Sequence, residues 1–167
     1  VFVSKLDSSG DLVWAKSFGG TSVDLGQSVT VDSSGNVYTT GYFIGTDDFD
    51  PGAGTTNLTS NGSGDAFVSK LDSSGDLVWA KSFGGTSDDK GWAAAVDSSG
   101  NVYTTGHFAG TADFDPGAGT TNLTSNGYTD VFVSKLDSSG DLVWAKSFGS
   151  SGGISTDLAL SVAVDSS

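Results

Sequence analysis

The sequence AFVSKLDSSGDLVWAKSFGG that begins at Ala66 also stands, almost unchanged, at Val1 and at Val131, so the chain repeats itself every 65 residues. A period of this length constrains the fold more than any single residue does. Each unit must be one supersecondary structure that buries its apolar surface against the next copy. Between Val1–Asp65 and Ala66–Asp130, 12 of 65 positions differ. About two and a half units are present, and the last falls out of step through an insertion within Ser150–Ser155.

What one unit forms follows from its residue types. All 20 acidic residues are Asp, all 7 basic residues are Lys, and Met and Cys are absent. Most strong helix formers are therefore missing, while Gly, Asp, Ser, Thr and Asn, the residues of turns, abound. An all-β chain with essentially no helix is expected. Two hairpins are legible in each unit: VFVSKL meets LVWAKSF through Asp7-Ser8-Ser9-Gly10-Asp11, and QSVTV meets NVYTTGYF through Asp32-Ser33-Ser34-Gly35-Asn36. In both, Asp caps the turn with its side chain and Gly supplies the positive φ that closes it. Four strands per unit follow, joined as consecutive hairpins. Strands with apolar residues on both faces, such as Val1 and Val3 against Phe2 and Leu6, suit sheets sandwiched between neighbours. The strand after the long loop is built of small residues, Ser28–Val31, Ala93–Val96 and Ser161–Val164. It suits a crowded centre, whereas Trp14, Phe18, Trp79 and Phe83 suit outer, splayed strands.

VDSSGNVYTTGYF and DAFVSKLDSSGDLVWAKSFGG resemble the bacterial SBBP-type β-propeller repeat, and the pattern recurs across essentially the whole chain. The resemblance implies blades of four antiparallel strands around an axis, with the small-residue strand innermost. In that frame residues 1–26 are the outer half of a blade plus a connecting loop. Residues 27–91 and 92–156 are blades, each with a long rim loop, and 157–167 carry the inner strand, Leu160–Val164, of a following blade. The long segments Gly45–Asp65 and Gly110–Asp130 depart from the shorter form of the repeat, hold a candidate extra strand (TTNLTS), and are expected to protrude from one rim. Propellers take about four to eight blades. The chain is therefore expected to be a segment of a larger propeller, its partners being further blades of the same protein. The alternative is a self-assembling subunit whose unpaired terminal strands join other copies into a filament or closed oligomer.

A net charge of −13 repels phosphate backbones and anionic membranes, which argues against nucleic-acid binding. No apolar run approaches the length needed to span a bilayer. Without Cys there is neither a disulfide nor a thiolate site. Few basic residues among much Gly, Ser, Thr and Asn is a composition shared with secreted bacterial proteins, so an extracellular or cell-surface location is expected.

Three constellations bear on chemistry. In Gly45–Gly52 and Gly110–Gly117, Asp48 with Asp50 and Asp113 with Asp115 place carboxylates two residues apart in a Gly/Pro loop, as a hard cation such as Ca²⁺ uses them. The same residues also read as Asx turns, with the Phe between them plugging the blade. Asp24, Asp88, Asp89 and Asp157, between blades, are expected to cap turns. The sole His, His107, stands where the preceding unit has Tyr42, so a His-dependent triad would have to live in one unit only. A hydrolase or lyase using paired Asp residues is a weaker alternative, because each Asp sits in a context that repeats.

The positions at which the units differ are the candidates for recognition. They cluster at Val23–Thr30 against Asp88–Ala95, at Tyr42, Ile44 and Asp47 against His107, Ala109 and Ala112, and at Ser63-Gly64 against Tyr128-Thr129. Variation in rim loops on a fixed scaffold is how binding surfaces are built, although drift after a duplication produces differences too. Trp92 is the expected exposed aromatic contact, with His107, Tyr128 and Tyr42 as further binding residues. The function expected is a non-enzymatic extracellular scaffold whose rim loops recognise a carbohydrate, a protein or a cell surface.

Overall fold

The computed structural model describes residues 1–152 and 155–165. Among these residues the chain is all β. The unit's strands are β1 (Phe2–Leu6), β2 (Leu12–Ser17), β3 (Asp24–Val31), β4 (Val37–Phe43), β5 (Thr46–Asp48) and β6 (Asn57–Thr59). The second copy gives β7 (Asp65–Leu71), β8 (Leu77–Gly85), β9 (Asp89–Val96), β10 (Val102–Phe108), β11 (Thr111–Asp113) and β12 (Asn122–Thr124). The third begins with β13 (Asp130–Leu136) and β14 (Leu142–Phe148). No helix among the described residues is long and apolar enough to cross a membrane.

The hairpin turns form as their sequence dictates. Asp7 Oδ1 accepts the N–H groups of Ser9 (2.8 Å) and Asp11 (2.9 Å), and Gly10 closes the turn at φ 85°. Asp32, Asp72, Asp97 and Asp137 do the same, with Gly35, Gly75, Gly100 and Gly140 at φ 80°, 83°, 79° and 84°. Five turns that demand a left-handed residue are met by Gly, the one residue that adopts that conformation without strain.

These hairpins build two antiparallel sheets in the orders β8-β7-β4-β3 and β14-β13-β10-β9, preceded by the β1-β2 hairpin. The two sheets are in the same register, Gly41 opposite Phe67 and Gly106 opposite Phe132. Their small-residue edges meet, and the Ala94 N–H donates to Ser28 Oγ at 3.3 Å.

The long segments do not protrude. Each folds into a short hairpin, β5-β6 or β11-β12, making six strands per unit rather than four. The β11-β12 hairpin adds to the outer edge of the preceding sheet, where Ala112 and Asp113 pair with Gly85 and Gly84 of β8. Asp48 likewise bridges Gly19 just past β2. The reason is apolar burial: the hairpin carries Phe114 onto Phe83, Phe108 and Phe132, at ring separations of 5.5, 5.3 and 5.0 Å. Phe49 packs in the same way on Phe18, Phe43 and Phe67. Burying one such ring stabilises by roughly 1.5–3 kcal/mol, which offsets part of the entropy lost in ordering the segment. The same contacts make Phe18 and Phe83 core residues, not splayed outer ones.

The tryptophans supply a second tie between sheets. Trp14 Nε1–H donates to the Ser73 carbonyl and Trp79 Nε1–H to the Ser138 carbonyl, both at 3.1 Å, so each outer strand grips the turn of the next sheet.

Two expected boundaries shift. β3 and β9 start at Asp24 and Asp89, three residues before Gln27 and Trp92. Residues 157–165 form no strand where the inner strand Leu160–Val164 is predicted; Ser166 and Ser167 lie outside the described residues, as do Gly153 and Ile154 of the insertion. β3 and β9 are each held by the strand that follows them in sequence, β4 and β10, whereas no strand among the described residues pairs with residues 157–165.

Candidate functional site

The paired carboxylates of the long segments are occupied by backbone. Asp48 Oδ1 accepts the N–H of Asp50 (3.0 Å) and of Thr56 (2.8 Å), and Asp50 Oδ1 accepts that of Gly52 (2.7 Å). Asp113 and Asp115 repeat this with Asp115, Thr121 and Gly117. The Thr56 and Asp50 N–H groups hold the Asp48 carboxyl below its ordinary pKa. The geometry is that of Asx turns around a Phe plug. Among the described residues no three His or Asp side chains converge on a point as a metal centre requires.

A different set of Asp residues is buried. Asp65, Asp89 and Asp130 lie at the junctions between sheets and loops, and each takes backbone N–H groups: Asn61 to Asp65, Gly85 and Ala109 to Asp89, Asn126 to Asp130. Burial pushes Asp89 up to about 7 and Asp65 up to about 6, each against its hydrogen bonds. Asp47, which stands where the second unit has Ala112, is likewise pushed to about 7 by burial and by the neighbouring Asp24. Asp24, Asp89 and Asp157 cap the N–H groups of Gly20, Gly85 and Ser150, as their place between units predicts.

The four aromatic or imidazole candidates occupy one neighbourhood but play unlike parts. Trp92 is half-buried, and its Nε1–H donates to His107 Nδ1 at 2.8 Å. It supports His107 instead of offering itself to a ligand. Because Nδ1 accepts, the neutral ring carries its proton on Nε2. Burial, with Lys90 nearby, lowers the imidazole's pKa. Tyr42 lies in the preceding sheet with Lys90 Nζ 4.7 Å from its ring centre, so it is a covered filler. Tyr128 is the exposed member, at 68%.

His107 and Tyr128 line one cleft of about 330 Å³, together with Ser63, Thr86, Ser87, Asp88, Ala109, Thr129, Thr156 and Leu158. Five of these residues are symmetry breaks: Asp88, His107, Ala109, Tyr128 and Thr129 stand where the first unit has Val23, Tyr42, Ile44, Ser63 and Gly64. In the first unit Gly64 abuts the Tyr42 and Ile44 side chains. In the second, the smaller His107 and Ala109 stand in their places and line the cleft. Asp88, Ala109 and Thr129 are visible in the sequence only as differences between copies; their convergence is a tertiary fact.

A family model described as a beta-propeller repeat, SBBP, matches residues 13–49. Residues 13–49 are thus similar to an SBBP β-propeller repeat. Residues 78–114 repeat that segment with nine differences; the two stretches include the strands β3-β4 and β9-β10, and His107 of β10 lines the cleft. The chain is also similar to the "Regulatory protein FlaEY" of Caulobacter vibrioides, at 33% identity over 95 residues. That alignment covers 57% of this chain and 10% of the relative, so the chain spans a small part of that protein's length.

Proposed function

We propose that the chain is a β-propeller segment that binds rather than catalyses, with β3-β4-β7-β8 and β9-β10-β13-β14 as blades and their small-residue strands nearest the axis. Its ligand site is the cleft at His107 and Tyr128. One observation carries this reading: five of the twelve residues that make the second unit unlike the first, Asp88, His107, Ala109, Tyr128 and Thr129, line a single opening. Drift would scatter differences over exposed turns, yet the exposed DSSG turns are identical in every unit. An extracellular or surface location fits the acidic composition.

The test is an NMR titration that follows the Trp92 indole N–H with neutral, cationic and peptidic probes. Shifts from at least one probe, confined to cleft residues, are expected. Their absence for every probe would remove the reading.

A second reading concerns the other side of the chain. β1 is an open edge, and beside it a groove of about 620 Å³ is lined by Val1, Phe2 and Val3 on one wall and Gln27, Val29 and Val37 on the other. Its equivalents β7 and β13 are paired there by β4 and β10. The groove therefore fits a β3-β4 type hairpin of another copy of this repeat. Light scattering decides it: a multiple of the chain mass that reverts to a single mass on Phe2→Asp supports the pairing, and a monomer at all concentrations excludes it.

A further inference from the structure

Resting on the cleft as a ligand site, we propose that it takes a neutral sugar ring, stacked on Tyr128 and hydrogen-bonded at His107 Nε2–H and Asp88. Charge makes the first selection. Lys90 Nζ sits 3.4 Å from Asp88 Oδ2, so the one carboxylate lining the opening is already paired, and the neutral imidazole adds no charge. A cationic ligand meets Lys90 there, and an anionic one meets a chain of net charge −13. What remains is an uncharged molecule.

Polarity makes the second. Tyr128 presents its ring as a platform, and Ala109 adds apolar wall. The same opening is lined by His107, whose Nε2–H is a donor, by Asp88, whose carboxylate is an acceptor, and by Thr129. A sugar ring matches this pattern, since its C–H face lies on an aromatic ring while neighbouring hydroxyls both donate and accept. The volume of about 330 Å³ is at the small end of ligand sites, which run from about 300 to 1,000 Å³, and admits one or two rings.

The test titrates maltose, cellobiose, lactose and N,N′-diacetylchitobiose into the ¹⁵N-labelled chain, with glucosamine and glucuronic acid as charged counterparts and a short Gly-Ser peptide as the non-sugar probe. We expect saturable movement of the Trp92 indole N–H with at least one neutral disaccharide and weaker response to the charged sugars. Tyr128→Ala should weaken binding about tenfold or more. The triple variant His107→Tyr, Ala109→Ile, Thr129→Gly gives the second unit the first unit's own residues, so it refills the cleft with a set the fold already carries. It should abolish the response while leaving the rest of the spectrum in place. Response only to glucosamine, glucuronic acid or the peptide, lost on refilling, overturns the sugar assignment and leaves the cleft standing. No response to any probe, or an equal response in the refilled variant, overturns both.

Discussion

Phe67 and Phe132 are fully buried, whereas Phe2, at the same place in the same FVSKL strand, is 75% exposed. The other end mirrors it: Phe18 and Phe83 are core residues, while their copy Phe148 is 61% exposed. The strands themselves are alike, antiparallel and in the same register, with the same bulge before the final Leu. Local sequence therefore determines the hairpin, and the neighbouring sheet determines whether the hairpin is core. Phe2 lacks the strand that β4 supplies beside Phe67, and Phe148 lacks the hairpin that carries Phe114 onto Phe83.

The largest expected break in this comparison is Phe67→Ala, which should cost about 3–5 kcal/mol in urea unfolding, against less than about 0.5 kcal/mol for Phe2→Ala. Equal losses would mean that β1 is covered as β7 is, and would support pairing at the groove.

Next comes pH. Asp65, Asp89 and Asp47 are held near 6, 7 and 7, above the ordinary 3.8 of an Asp, so between about pH 4 and 7 the folded chain keeps protons that the unfolded chain has released. Their contribution is complete below about pH 4 and is lost as pH rises through 6 to 7. The turn caps Asp32, Asp48, Asp72 and Asp97 are shifted down and act in the opposite sense, losing their contribution at acid pH. The melting temperature should thus be higher at pH 5 than at pH 8, and Asp65→Asn should flatten that slope. A melt that rises from pH 5 to 8 would contradict the buried-acid assignment.

Smaller effects sharpen the contrast between inner and terminal copies. Trp79→Phe removes the bond to Ser138 and should cost about 0.5–1.5 kcal/mol, while Trp144→Phe, which breaks no such bond among the described residues, should cost less, both read by denaturation. Smallest is the paired change Asp113→Asn with Asp115→Asn, which keeps an acceptor oxygen for each turn N–H and should cost under about 0.5 kcal/mol with or without Ca²⁺. A Ca²⁺-dependent rise in melting temperature that this pair abolishes would support a cation at these carboxylates.

The same contrast divides what was legible from what was not. The turns were fully legible, because an Asp two residues before an N–H and a Gly at positive φ are contacts within five residues. The β5-β6 and β11-β12 hairpins were half legible: TTNLTS announces a strand, but its docking on the preceding sheet depends on Phe18 and Phe83, some thirty residues upstream. Trp92 is legible as the one Trp outside the LVWAK strands, but its half-burial and its bond to His107, fifteen residues away, are not.

By itself, then, the sequence determined the period, the all-β character, the turn geometry and the set of positions at which one unit departs from the other, because all of these rest on local backbone preference or on comparing one copy with the next. Only the tertiary structure decided which copies of one strand are core, where the long segments dock, and that Asp88, His107, Ala109, Tyr128 and Thr129 face one opening. Burial and clefts are properties of the surfaces between units, and identical units acquire different surroundings according to what stands beside them.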